Sequence, residues 1–174
     1  ESIDYYFSNN AGNTPVSNNV GAKIFTGKIC GNDACFFMKD SGINGGATGD
    51  LEGLKYIAAA YISFLKGWPF YVWNDGAGAN IKEGIVSLNR GAEGFMMNLL
   101  LVNGDYVKFR NYIDHNPDTV LKKLFKLLDK KFRFNPADDA ADKRRLSVTA
   151  VGIGSSAGLD VYGSSQAVLQ IMLD

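Results

Sequence analysis

Leu146-Ser-Val-Thr-Ala-Val-Gly-Ile153, then a glycine- and serine-rich turn, then Ser164-Ser-Gln-Ala-Val-Leu-Gln-Ile-Met-Leu173 is the stretch on which the reading of this chain turns. Leu146, Val148, Ala150 and Ile153 in the first arm and Val168, Leu169 and Ile171 in the second are apolar runs of strand length. They flank Ser155 to Ser165, which is a hairpin pattern. A terminal strand is ordinarily tied into a sheet, so the domain is expected to close on this hairpin.

Working outward, Phe95 to Val102, Asn103-Gly104 and Asp105 to Phe109 predict a second hairpin, because Asn-Gly accepts the positive φ of a type I′ turn. Phe70-Tyr-Val-Trp73 predicts a strand ended by Asn74-Asp-Gly-Ala-Gly78. Leu51 to Lys66 predicts a helix, with Leu51, Leu54, Ile57, Ala58, Tyr61, Ile62 and Leu65 at helical spacing, Asp50 as N-cap and Gly67 and Pro69 as stops. A second helix is expected over Pro117 to Phe132, capped by Asn116. Its stripe of Val120, Leu121, Leu124, Phe125, Leu128 and Phe132 reads as a face docked on the domain's own sheet. Ile81 to Gly94 fits neither period. Asn9–Asn19 and Ser41–Gly49 read as loops, and Ile3, Tyr6 and Phe7 share one face as the tail of a longer amphipathic helix would, a short edge strand or a frayed terminus being the other readings.

The 174 residues are read as one domain, long enough to bury a substantial core. Apolar residues are 46% and charged residues 21%, with 18 basic against 18 acidic side chains. The zero net charge argues against nucleic acid, since phosphate binding needs a positive field. No apolar run is long enough to span a bilayer. The abrupt start at Glu1 leaves room for a removed hydrophobic leader.

Cys30 and Cys35 are the only cysteines. β-prone residues flank them and Gly31-Asn-Asp-Ala34 between them is turn-forming, so the expected arrangement is a hairpin loop with a disulfide at its mouth. Two free thiols or, with His115 as partner, a catalytic thiol are the other readings. Zinc lacks ligands, because His115 is the single histidine.

Catalytic patterns are weak. Gly42 to Gly49 lacks the Gly-Lys-Ser/Thr end of a P-loop. Gly154-Ser-Ser-Ala-Gly158 matches a nucleophile elbow in letters, but no histidine follows Ser156. Nothing selects a carboxylate pair from Glu52, Glu83, Glu93 and the aspartates. Asp138, Asp139 and Asp142 are weak calcium candidates in an order unlike an EF-hand. Trp68, Tyr71 and Trp73 suit either a core or a ligand-facing aromatic surface.

The ending Ser147-Val-Thr-Ala-Val, Ser164-Ser-Gln-Ala-Val-Leu-Gln and Met172-Leu173 resembles the last strand pair of type IV minor pilins and type II secretion pseudopilins. The resemblance implies an α+β fold: an N-terminal helix packed on an antiparallel sheet built from hairpins, with Pro117–Phe132 as an inserted helix. Residues 1–174 would be a single globular head lacking an upstream hydrophobic helix. The implied function is that of a non-enzymatic subunit of an extracellular or cell-surface filament, periplasm-facing before assembly. It would act in assembly, adhesion or secretion, without catalytic residues or cofactors. Its partners would be other pilin subunits through the missing helix and a host or surface receptor, with membrane contact only before assembly. The alternative is a secreted carbohydrate-binding or adhesive domain using Trp68, Tyr71 and Trp73; a small secreted hydrolase is a third reading.

Overall fold

A computed structural model describes residues 20–135 and 144–152. In chain order they form β1 (Ala22–Ile29), β2 (Asn32–Lys39), α1 (Asp50–Lys66), β3 (Phe70–Asn74), α2 (Ile85–Val102), α3 (Tyr106–His115), α4 (Thr119–Lys131) and β4 (Val148–Gly152). Single 3-10 turns at Asn44–Gly46 and Ile81–Glu83 precede α1 and α2. The fold is a mixture of helices with one four-stranded sheet of order β1-β2-β3-β4.

The expected all-antiparallel sheet is corrected by the pairing. Only β1 and β2 form a hairpin; β2 with β3 and β3 with β4 are parallel, in register Cys35↔Phe70 and Phe70↔Val148. Parallel neighbours need a crossover rather than a tight turn. Here α1 supplies the first, and α2, α3 and α4 lie in the second. The first arm of the C-terminal sequence is a strand, β4, but it runs beside β3. The second arm, Ser156 and the Ile3–Phe7 segment lie outside the described residues, as do Asp138, Asp139 and Asp142.

The predicted hairpin over 95–109 is instead a helix-turn-helix. Ser87, Arg90, Gly94, Met97 and Leu101 are the buried residues of α2, spaced three and four apart as a helix requires. Asn103 is right-handed helical and Gly104 has φ 76°. The Asp105 amide donates to Leu100 O at 2.8 Å and the Gly104 amide to Leu101 O at 3.3 Å, the paired bonds of a Schellman ending. Asn-Gly therefore closes a helix here, because the apolar residues before it recur at helical spacing.

Both predicted helices are present. Helix α1 is buried around nearly its whole circumference, since it lies between the sheet and helices α2 and α4. Helix α4 is capped by Asp118 rather than Asn116: Asp118 accepts from the Val120 and Leu121 amides at 2.7 and 3.0 Å. Of the predicted stripe Leu121, Phe125 and Leu128 are buried, but Val120 is exposed, and the helix packs on α1 and α3 rather than on the sheet. Phe125 stands edge-on to Tyr61 and Phe109, at 4.7 and 5.2 Å between ring centres.

The cysteine hairpin turns one step earlier than expected. Ile29 pairs with Asn32, leaving Cys30 and Gly31, both at positive φ, as the two-residue turn. Cys35 lies along β2 opposite Thr26, so the two thiols do not face each other across the strands and both are free. Burial pushes the Cys35 thiol up to about 11, with Ser63 and the Phe36 backbone acting against it. Iodoacetamide is expected to alkylate exposed Cys30 in the native protein and Cys35 only after unfolding, since the thiolate is the reacting form. Peptide mass spectrometry checks this; a native protein in which both cysteines resist alkylation until reduced would contradict it.

Candidate functional site

In sheets with parallel strands, ligand sites gather beyond the strands' carboxyl ends. At that edge Lys39 closes β2 and Asn74 closes β3, and the loops that follow them are stitched together. Thr48 makes an isolated parallel bridge with Ala79: its amide donates to Gly78 O at 2.7 Å and its carbonyl accepts from the Asn80 amide at 2.8 Å. The Ala77 amide donates to Gly45 O at 3.2 Å. Ser41 Oγ donates to Asp75 Oδ2 at 2.7 Å. Glu83 Oε2 accepts from the Asp50 amide at 2.6 Å, and Glu83 Oε1 from Asn80 Nδ2 at 2.8 Å, joining the second loop to the start of α1.

This stitching requires glycine at one point of close approach. A Cβ on Gly76 would overlap the Gly46 carbonyl and Lys39 Nζ, and a Cβ on Gly46 would overlap the Asp75 carbonyl. Gly78, by contrast, opens on free space. Among the described residues the amides of Gly78 and Ala79 have no acceptor. Two adjacent amides on a constrained loop are donors for a carbonyl oxygen or an oxyanion.

Charge is buried beside the loop. Lys39 is 8% exposed, and its Nζ donates to Thr48 Oγ1 at 2.6 Å. Burial lowers its pKa, offset in part by Glu52 and Asp75. Glu52 is itself buried and accepts from the Gly21 and Gly49 amides at 3.3 and 3.1 Å. From α2, Arg90 packs against Gly53; it is 6% exposed and ion-paired with Asp50 at 2.7 Å, Glu93 at 2.5 Å and Asp118 at 2.9 Å. That cluster ties the start of α1 to α2 and to the cap of α4.

The carboxylates weighed from sequence are thus backbone acceptors, at Glu52 and Glu83, or an ion-pair member, at Glu93. Tyr71 and Trp73 alternate onto the sheet face opposite the buried Phe70 and Val72. There Tyr71 continues a stacked column with Phe36 and Phe25, at 5.6 and 4.8 Å between successive ring centres. Trp68 lies instead in the turn after α1, with Lys66 Nζ 5.5 Å from its ring centre. His115 is exposed, with its Nδ1 2.8 Å from Asn111 O. Sequence reasoning missed Lys39, Thr48, Gly78 and Ala79. The signal for them was a glycine-rich Asn74–Asn80 following a strand in strand–helix–strand order.

A family model for the carboxyl transferase domain matches residues 6–105. The chain is similar to the biotin-dependent acetyl-/propionyl-coenzyme A carboxylase beta5 subunit of Mycobacterium tuberculosis, 39% identical over 74 residues, covering 42% of this chain and 14% of that protein. The Mycobacterium leprae protein of the same name is 39% identical over 83 residues, covering 47% of this chain and 15% of its own length. The chain thus matches only a small part of these relatives. Among solved structures, transcarboxylase 12S with methylmalonyl-coenzyme A and methylmalonic acid bound is similar at 31% identity and a TM-score of 0.46, covering 47% of this chain and 16% of that one. The beta subunit of Pseudomonas aeruginosa geranyl-CoA carboxylase is similar at 22% identity and a TM-score of 0.43, covering 47% of this chain and 16% of that one.

These findings overturn the pilin resemblance and what it implied. The filament role, the pilin and receptor partners and the extracellular location rested chiefly on one strand-like ending, and the adhesive alternative on Trp68, Tyr71 and Trp73, whereas the family match runs through β1, β2, α1, β3 and α2. The non-enzymatic expectation falls with them, because the matched family is named for a reaction. With more than half of its residues in that match, the chain belongs to the carboxyl transferase domain family.

Proposed function

We propose that this chain supplies part of the active site of a biotin-dependent acyl-coenzyme A carboxyltransferase, with the Asn74–Glu83 loop at the reacting centre. The observation that carries the reading is the pair of open amides, Gly78 and Ala79, on a loop within the family match. Carboxylating an acyl thioester at its α-carbon removes a proton there and forms a carbon–carbon bond. Negative charge meanwhile develops on the thioester oxygen. Fixed amide donors aimed at such an oxygen are worth more than the same donors in water, because they need no reorganisation as the charge appears.

The residues present also fit the carboxyl carrier. Gly78 opens on free space and the donors beside it are backbone amides, a combination that accepts a flat ring carbonyl. When bound, a carboxylated biotinyl group supplies the carboxyl from a ring nitrogen. The chain's own contribution is to hold the loop rigid through Thr48, Glu83 and the Gly46–Gly76 contact.

The test is carboxyl exchange in the full-length protein. Label is expected to pass from α-carboxylated acyl-coenzyme A thioesters, malonyl and methylmalonyl among them, to free biotin. Gly76→Ala forces the loop away from Gly46 and is expected to slow transfer about 100-fold, the scale of losing one oxyanion donor. Absence of transfer by the folded wild-type protein across such thioesters would sink the proposal.

A further inference from the structure

A buried lysine is an expensive way to fill space at the end of a strand. An apolar side chain of similar size would bury there without desolvating a charge. Lys39 is nonetheless held in a specific place: Nζ donates to Thr48 Oγ1 at 2.6 Å and lies against Gly76, with Glu52 and Asp75 as the neighbouring negative charges. Thr48 in turn brackets Ala79, accepting from the Asn80 amide and donating to Gly78 O. A continuous chain of contacts therefore runs from the end of β2 through one side chain to the open amides.

We propose that Lys39 is a positioning residue for carboxyl transfer. Its ammonium, bonded to Thr48 Oγ1 and packed on Gly76, holds the Thr48 bridge so that the Gly78 and Ala79 amides stay aimed at the reacting thioester oxygen. This rests on the carboxyltransferase reading above. Lys39 touches no reacting atom. It acts through Thr48, and its loss should cost rate rather than substrate affinity, because a small misplacement of fixed donors is felt most where charge develops.

The experiment compares wild type, Lys39→Met and Thr48→Val in the full-length protein by two readouts. Thr48→Val removes the acceptor while keeping the side chain's shape and the lysine, so it decides the matter if Lys39→Met does not fold. In the exchange assay kcat is expected to fall at least about tenfold in both variants, with KM for the acyl thioester within about threefold. Hydrogen exchange at the Thr48 and Asn80 amides should quicken at least about tenfold, while amides in the middle of α1 keep wild-type protection. Wild-type protein without transfer activity overturns the parent reading, and with it the catalytic purpose assigned to Lys39. Unchanged exchange in the variants overturns the Lys39 role whatever the activity. Quickened exchange with unaltered kcat overturns the positioning role and leaves Lys39 a structural residue.

Discussion

Replacing Arg90 with methionine is expected to destabilise the protein by about 3 kcal/mol, measured as the loss in urea unfolding free energy at neutral pH. Methionine keeps most of the length and the apolar stem, so the change isolates the guanidinium. Three carboxylates lose their common partner, and two of them, Glu93 and Asp118, are 12% and 24% exposed in their side chains. Asp50 is 39% exposed and recovers part of its solvation from water, which holds the expected loss at the lower end for a broken buried ion pair. A loss below about 1 kcal/mol would show that the cluster is solvated in solution as a surface pair is.

The pH dependence of that variant has a definite sign. Burial raises the Glu93 carboxyl above its ordinary range even with Arg90 beside it, Asn116 also opposing the rise and Asp118 adding to it. Asp118 is held low: burial alone would raise it, but the Leu121 amide, Arg90 and the Val120 amide outweigh that. In wild type, Asp118 therefore contributes stability above its unfolded pKa, lost as the pH falls through the lower folded value. Without Arg90 both carboxyls move up. A carboxyl raised in the folded state costs stability above its folded pKa and is relieved as it protonates. The deficit of Arg90→Met relative to wild type is expected to narrow on acidification from neutral pH towards about 4, near the ordinary carboxyl range. A deficit independent of pH would mean that lost packing, not charge, is responsible.

Asp129→Ala is the other change with a large expected effect, about 3 kcal/mol. Asp129 accepts from the Tyr61 hydroxyl at 2.6 Å and from Arg110 Nη1 at 3.0 Å. Tyr61 is among the largest fully buried side chains, in the ring cluster with Phe64, Phe109 and Phe125. Removing the carboxylate strands the Tyr61 hydroxyl in that cluster and leaves Arg110 without its partner. Asp129→Asn keeps an acceptor for the hydroxyl but still removes the charge opposite Arg110, so it should cost about 2 kcal/mol, less than Asp129→Ala by about one hydrogen bond. Equal losses in the two variants would show that charge at Asp129 matters more than hydrogen bonding to Tyr61.

Much of the local structure was legible. The spacing in Leu51–Lys66 and Val120–Leu128 predicted helices because a buried stripe must recur every three or four residues. Phe70–Trp73 predicted a strand because β-branched and aromatic residues fit a pleated, half-buried surface. The failures share a physical cause. Asn103-Gly104 supplies a positive φ that a hairpin and a helix ending can both use. The neighbouring Met97 and Leu101 decide between them, and their burial is not a local property. The ending Val148-Thr-Ala-Val151 has the composition of any largely buried strand, so its likeness to pilins carried no information about which neighbour it pairs with or in which direction.

The site was the least legible part. Ser41–Gly49 was read as a loop and Asn74–Gly78 as the end of a strand, about thirty residues apart in the chain. Only the parallel pairing of β2 with β3 brings their loops to one edge, where Gly46 and Gly76 touch and Thr48 bridges to Ala79. By itself the sequence determined which segments are helical or extended wherever periodicity and capping agree, since those depend on residues within a few positions of each other. The tertiary structure alone decided strand direction, the helix-turn-helix at Asn103-Gly104 and the meeting of Lys39, Thr48 and the glycine loop, because each depends on contacts between residues far apart in the chain.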